Sequence, residues 1–146
     1  MLGNDDPEAS AVGEITPGEE YYSYEAKYVS EGAESEIPAA VPDHISHEVR
    51  RMAVAAFRAV DAAGMARVDF FLTDDGLYIN EINTIPGFTP ISQFPRLWEA
   101  SGLGYEQLVA RLVDLALERH AERPHPDRRS TAQASEQPQP MVSTEE

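Results

Sequence analysis

Arg67, Asp69, Glu81 and Asn83 are the side chains of this sequence whose types and spacing best suit joint chemistry. Read as a β-hairpin, the segment 67–83 has Thr73 and Leu77 flanking a three-residue connection, Asp74-Asp75-Gly76, with Gly where a positive φ is wanted. That pairing sets Asp69 opposite Glu81 and Arg67 opposite Asn83. Period two places Arg67, Asp69 and Phe71 on one face, shared with Glu81 and Asn83 of the partner strand. Facing carboxylates repel, and a cation between them removes the repulsion. Two carboxylates and an amide oxygen are hard donors that suit Mg²⁺ or Mn²⁺, and such an ion would in turn hold phosphate. The plainer alternative is a solvated face on which Arg67 pairs with a neighbouring carboxylate.

The hairpin exit, Asn83 to Thr89, contains the Pro86-Gly87 turn and leaves backbone N–H groups free to meet an anion. Gly87 also reads simply as a turn glycine, and Ser92 as the cap of a helix starting near Phe94. Lys27 is the only lysine and lies among tyrosines in Tyr22-Ser23-Tyr24-Glu25-Ala26-Lys27-Tyr28. It reads either as a surface lysine or as an ammonium that meets phosphate or carboxylate once a metal offsets the acids. The histidines His44, His47, His120 and His125 share no metal-like spacing and receive no role.

The elements that must position these groups follow from patterning. A short strand, a turn and a second strand near residues 12–15 open the chain. Residues 20–29 alternate tyrosine with polar residues, as a strand or an ordered loop. Residues 30–42 read as a loop, with Asp43 as an N-cap. Ile45, Val49, Met52, Ala56 and Val60 form a helical stripe widened by Ala53 and Phe57, and Gly64 ends that helix. Val68, Phe70 and Leu72 then face Tyr78 and Ile82 on the buried side of the hairpin. Helices follow at Phe94–Ala100 and Tyr105–His120, the second with Leu108, Leu112, Leu115 and Ala116 inward. This order predicts an α+β fold with helices on one face of a mainly antiparallel sheet. Residues 1–120 form the domain, and 121–146, rich in Pro, Ser and Gln, form a disordered tail.

Composition narrows the function classes. The chain has 146 residues and a net charge of −15. So acidic a chain is a poor partner for nucleic acid, whose phosphates call for clustered Lys and Arg, and for an anionic membrane surface. With no cysteine there is no disulfide framework and no thiolate zinc site. No apolar run has the length of a membrane span, so a soluble, cytoplasmic protein is expected.

The stretches Gly64-Met-Ala-Arg67-Val-Asp69-Phe-Phe-Leu and Tyr78-Ile-Asn-Glu81-Ile-Asn83-Thr-Ile-Pro-Gly87-Phe-Thr, with Tyr22 to Tyr28 upstream, resemble the C-terminal signature of D-alanine–D-alanine ligases, members of the ATP-grasp superfamily. The similarity runs from about Leu2 to about His120. It implies the C-terminal half of an ATP-grasp domain and ATP-dependent joining of two D-alanines through an acyl phosphate for peptidoglycan precursors. By the same resemblance Asp69, Glu81 and Asn83 hold two Mg²⁺ or Mn²⁺ ions, with Glu81 bridging. Arg67 and the Gly87 N–H stabilise the tetrahedral centre. Lys27 lies in a closing loop that contacts phosphate or substrate carboxylate, and Ser92 holds the carboxylate of the second D-alanine. Tyr28 matches the loop tyrosine of dipeptide-forming members and favours D-alanine over D-lactate. The substrates implied are D-alanine and ATP, and the full-length enzyme is expected as a homodimer. Two alternatives stand: another ATP-grasp carboxylate–amine ligase, or a non-catalytic metal-binding fragment. The family is much longer than this chain, so the chain is expected to be its C-terminal portion and inactive alone, with an apolar sheet edge uncovered.

Overall fold

The computed structural model describes residues 1–16 and 34–122. The elements in chain order are β1 (Leu2–Gly3), β2 (Glu14–Thr16), β3 (Glu34–Glu36), α1 (Asp43–Ala59), β4 (Gly64–Met65), β5 (Arg67–Thr73), β6 (Gly76–Asn83), α2 (Gln93–Ala100) and α3 (Tyr105–Glu122). This is the expected α+β architecture. Among the described residues the strands form three two-stranded antiparallel ladders, β1–β4, β2–β3 and β5–β6.

Among the described residues, two small apolar clusters hold the elements together. In one, Leu2, Phe94, Trp98, Leu108 and Leu115 are buried, with Met65, Phe88, Leu103 and Leu112 packed against them. In the other, Met1, Ala53, Phe57 and Ala66 are buried beneath Val68, Phe70 and Ile82. The β1–β4 ladder is the seam between them. Leu2 pairs with Met65, and both enter the first cluster. Their neighbours Met1 and Ala66 enter the second, as alternation along a strand requires.

Several local expectations need correction. Residues 30–42 contain a strand, β3, where a loop was expected. Its partner β2 supplies the order that Glu34-Ser35-Glu36 has no propensity to supply. Asp43 is the first residue of α1, and Pro42 takes the N-cap position; proline suits a helix start because it has no N–H to leave unpaired. Gly64 does not end α1. The helix stops at Ala59, Asp61 takes a positive φ of 52°, and Gly64 opens β4. The buried stripe of α1 centres on Ala53 and Phe57, while Val60 is exposed. On α3, Leu108 and Leu115 are buried and Leu112 is partly so, but Ala116 faces solvent. That helix also runs two residues past the expected boundary, to Glu122. The aromatic segment at 20–29 and the tail from 123 lie outside the described residues.

The hairpin follows its expected register at one end only. Arg67 pairs with Asn83 and Asp69 with Glu81, as predicted. Toward the tip, Phe70 pairs with Ile79, Phe71 with Tyr78, Leu72 with Leu77 and Thr73 with Gly76. The turn is therefore the two residues Asp74-Asp75, not three. A register shift between Asp69 and Phe70 absorbs the difference and leaves Asn80 without an opposite partner, the signature of a β-bulge. Thr73 shapes the turn: its Oγ1 accepts from Asp75 N at 3.3 Å and donates to Gly76 O at 3.2 Å. Gly76 sits at φ +150°. The shorter turn moves Tyr78 opposite Phe71, away from the buried face, and Leu72 is exposed outside the cluster that Val68 and Phe70 join, so neither joins the core as expected.

Candidate functional site

The root of the hairpin is fixed by what lies under it. Val68, Phe70 and Ile82 pack onto the Ala53–Phe57 stripe of α1. With these three turned inward, Arg67, Asp69, Glu81 and Asn83 belong to the opposite face, because successive side chains of a strand alternate. Asp69 and Glu81 form one cross-strand pair there and Arg67 and Asn83 another.

In this structure the cation between the two carboxylates is Arg67. Its Nε donates to Asp69 Oδ1 at 2.7 Å and its Nη2 to Asp69 Oδ2 at 2.8 Å. The same Nη2 lies 3.8 Å from Glu81 Oε1. The hydrogen bonds to Asp69 raise the guanidinium pKa above its ordinary value; burial opposes this, and the charges of Asp69 and Glu81 add to it. The pairing expected as the plainer alternative is thus present. The side chains of Arg67 and Asp69 are 28% and 31% exposed and that of Glu81 is 57% exposed, so the carboxylates remain open to a ligand.

The donor set meets the chemical requirement of a hard divalent ion: two carboxylates and one amide oxygen on adjacent pairs of one face. Asn83 Oδ1 accepts from Ile85 N at 3.1 Å. That bond orients the amide and leaves the oxygen a second lone pair. Among the described residues no group of three or more His, Cys, Asp or Glu gathers as a metal cluster. The candidate set rests on two acids and an asparagine.

The remaining candidates lie in the loop between β6 and α2. Gly87 and Ser92 are brought together: a Cβ on Gly87 would stand 3.1 Å from Ser92 Oγ. Ser92 occupies the N-cap position of α2, but its hydroxyl makes no capping bond. It accepts from Thr89 N at 3.0 Å and contacts Thr89 Oγ1 at 2.8 Å. Thr89 is a residue the sequence reading passed over; the Thr-x-x-Ser spacing before a helix was its only signal. Phe88 anchors the loop from behind. Its ring lies 5.8 Å from that of Phe94 and 5.5 Å from that of Tyr105, whose hydroxyl donates to Phe88 O at 3.0 Å. Lys27 and Tyr28 lie outside the described residues. The structure therefore groups six of the eight candidates at the hairpin root and its exit loop.

Residues 1–114 match the family model described as D-ala D-ala ligase C-terminus. The D-alanine–D-alanine ligase of Geobacillus thermodenitrificans is 54% identical over 124 residues, which cover 84% of this chain and 34% of that protein. The structure of the D-alanine-D-alanine ligase from Coxiella burnetii superposes with a TM-score of 0.71 at 41% identity, covering 83% of this chain and 31% of that one. The D-alanine–D-alanine ligase from Bacillus anthracis complexed with ATP gives a TM-score of 0.64 at 27% identity, covering 77% of this chain and 37% of that one. The chain thus spans about a third of the length of the relatives it matches.

Proposed function

The chain belongs to the family of D-Ala-D-Ala ligase C-terminal domains, and on that premise we propose that it supplies the metal-binding and second-substrate half of an ATP-dependent ligase. The reaction joins two D-alanines for a peptidoglycan precursor. The whole enzyme works in the cytoplasm as a homodimer. The observation that carries this reading is the register of the hairpin root, Asp69 opposite Glu81 beside Arg67 opposite Asn83, next to the Gly87–Ser92 loop.

Asp69, Glu81 and Asn83 would hold two Mg²⁺ or Mn²⁺ ions. When bound, the ions offset charge on the transferring γ-phosphoryl group of ATP. ATP phosphorylates the carboxylate of the first D-alanine, the amine of the second attacks the acyl carbon, and inorganic phosphate leaves with the bonding pair. Arg67 and the Gly87 N–H stabilise the negative charge of the tetrahedral centre. Ser92 donates to the carboxylate of the second D-alanine. Lys27 and Tyr28 contact substrate.

The test is a graft in which residues 1–122 replace the matching third of the Geobacillus thermodenitrificans enzyme. Phosphate release from ATP and D-alanine should require Mg²⁺ or Mn²⁺. Asp69→Asn and Glu81→Gln should each lower kcat at least about 100-fold, the scale of removing one group that stabilises developing charge. Full turnover by either folded variant would overturn the reading.

A further inference from the structure

We propose that Thr89 is a positioning residue, which aims the single proton of Ser92 at the carboxylate of the second amino-acid substrate. The inference rests on the role given to Ser92 above and extends it to a residue that does not itself touch substrate.

Hydrogen-bond accounting carries the argument. A serine hydroxyl has one proton and two acceptor lone pairs. The Thr89 N–H fills one lone pair of Ser92 Oγ at 3.0 Å. The 2.8 Å contact between the two hydroxyls runs in either direction while the site is free. A carboxylate only accepts, so a bound substrate requires Ser92 to donate to it. The proton of Ser92 is then committed outward, and Thr89 must become the donor across the 2.8 Å contact. Both lone pairs of Ser92 Oγ are then filled by one residue, and the outward O–H bond is the one direction left. Two donors into the same oxygen also polarise that O–H and strengthen its bond to an anion.

The surroundings fit such a device. Thr89 follows Phe88, which is held by two aromatic neighbours and by the Tyr105 hydroxyl. The Ser92 N–H donates back to Thr89 O at 2.9 Å, which closes the turn that keeps the two hydroxyls face to face. Gly87 flanks Ser92 Oγ at a distance where any side chain would press on the hydroxyl. The Ser92 hydroxyl is spared from capping α2 and is available for a ligand.

The experiment uses the grafted full-length ligase with two-site kinetics for D-alanine. Thr89→Val removes the hydroxyl and keeps the N–H and the volume. It should raise KM for the second D-alanine about five-fold, the scale of one neutral hydrogen bond, and leave KM for ATP and the first D-alanine within about two-fold. Thr89→Ser restores the hydroxyl and should return KM to within about two-fold of the parent. Ser92→Ala should raise the same KM roughly 10- to 100-fold, as expected for a bond to a charged group. Adding Thr89→Val to Ser92→Ala should change nothing further, because the threonine acts only through the serine. Thr89→Ala serves as a second hydroxyl-free variant if Thr89→Val melts earlier than the parent. An unchanged KM in Ser92→Ala would sink the role of Ser92 itself. A raised KM in Ser92→Ala beside an unchanged KM in both hydroxyl-free Thr89 variants would sink the positioning role alone. Failure of Thr89→Ser to rescue would also count against it.

Discussion

At the root of the β5–β6 hairpin, Val68, Phe70 and Ile82 pack on α1 while Arg67, Asp69, Glu81 and Asn83 occupy the other face. At its tip, Phe71, Leu72 and Tyr78 are each more than half exposed and Ile79 is 40% exposed, with apolar residues on both faces. One ribbon thus carries two regimes. At the root, burial of one side fixes which side chains face the other, because a slip of one residue would drive a carboxylate into the α1 contact. At the tip nothing is buried, and the register depends on the turn. Placement of chemistry is therefore a by-product of packing, and it ends where packing ends.

The sharpest way to break this comparison is to remove the packing under the root. Phe57 is fully buried, and Phe57→Ala should destabilise the chain by about 3–5 kcal/mol, the usual cost of deleting a core aromatic. Urea unfolding measures it. A loss no larger than that of Phe71→Ala at the tip would contradict the account.

Asp69→Asn separates function from stability at the same spot. It should abolish most turnover in the grafted enzyme yet shift the unfolding free energy by no more than about 1 kcal/mol, since partly exposed ion pairs contribute little. A shift as large as that of Phe57→Ala would mean the ion pair, not the apolar face, holds the root.

Gly76→Ala tests the turn. At φ +150° an alanine is strained, and the change should cost about 1 kcal/mol or slightly more. The smallest effect on stability is expected from Leu72→Thr at the tip, within about 0.5 kcal/mol in the same unfolding measurement. That variant should nevertheless lower self-association in sedimentation, because exposed apolar strands pair with one another.

Legibility in the sequence followed the same division. The pairings of Asp69 with Glu81 and Arg67 with Asn83 were readable because alternation of Val68, Phe70 and Ile82 with charged neighbours admits one register. The tip was not readable: residues 70–72 and 77–79 are apolar throughout, so no alternation marks which face is which. The expected three-residue turn and the expected continuous ladder were both wrong, and the two errors cancelled at Asn80. The helices were legible from their stripes, although their inner faces were misplaced by a position at Val60 and Ala116. β3 was hidden because its strand character comes from β2 rather than from its own residues. The link from Thr89 to Ser92 was hidden for a different reason: the serine looked like a cap, and only the folded loop turns its hydroxyl back toward Thr89.

The seam made by Leu2 and Gly3 with Gly64 and Met65 joins positions about sixty residues apart; the first cluster draws on both of its strands, and the second on Met1 and Ala66 beside them. Neither half of the molecule can finish without the other, so partial opening of one should propagate to its neighbour instead of leaving a stable remnant. On the ribosome the same link imposes a delay. Met1 and Leu2 emerge with their apolar side chains bare, and the residues that bury them, from Ala53 to Leu115, are synthesised only later. A chaperone that shields Met1 and Leu2 would act during this interval and have nothing left to hold afterwards.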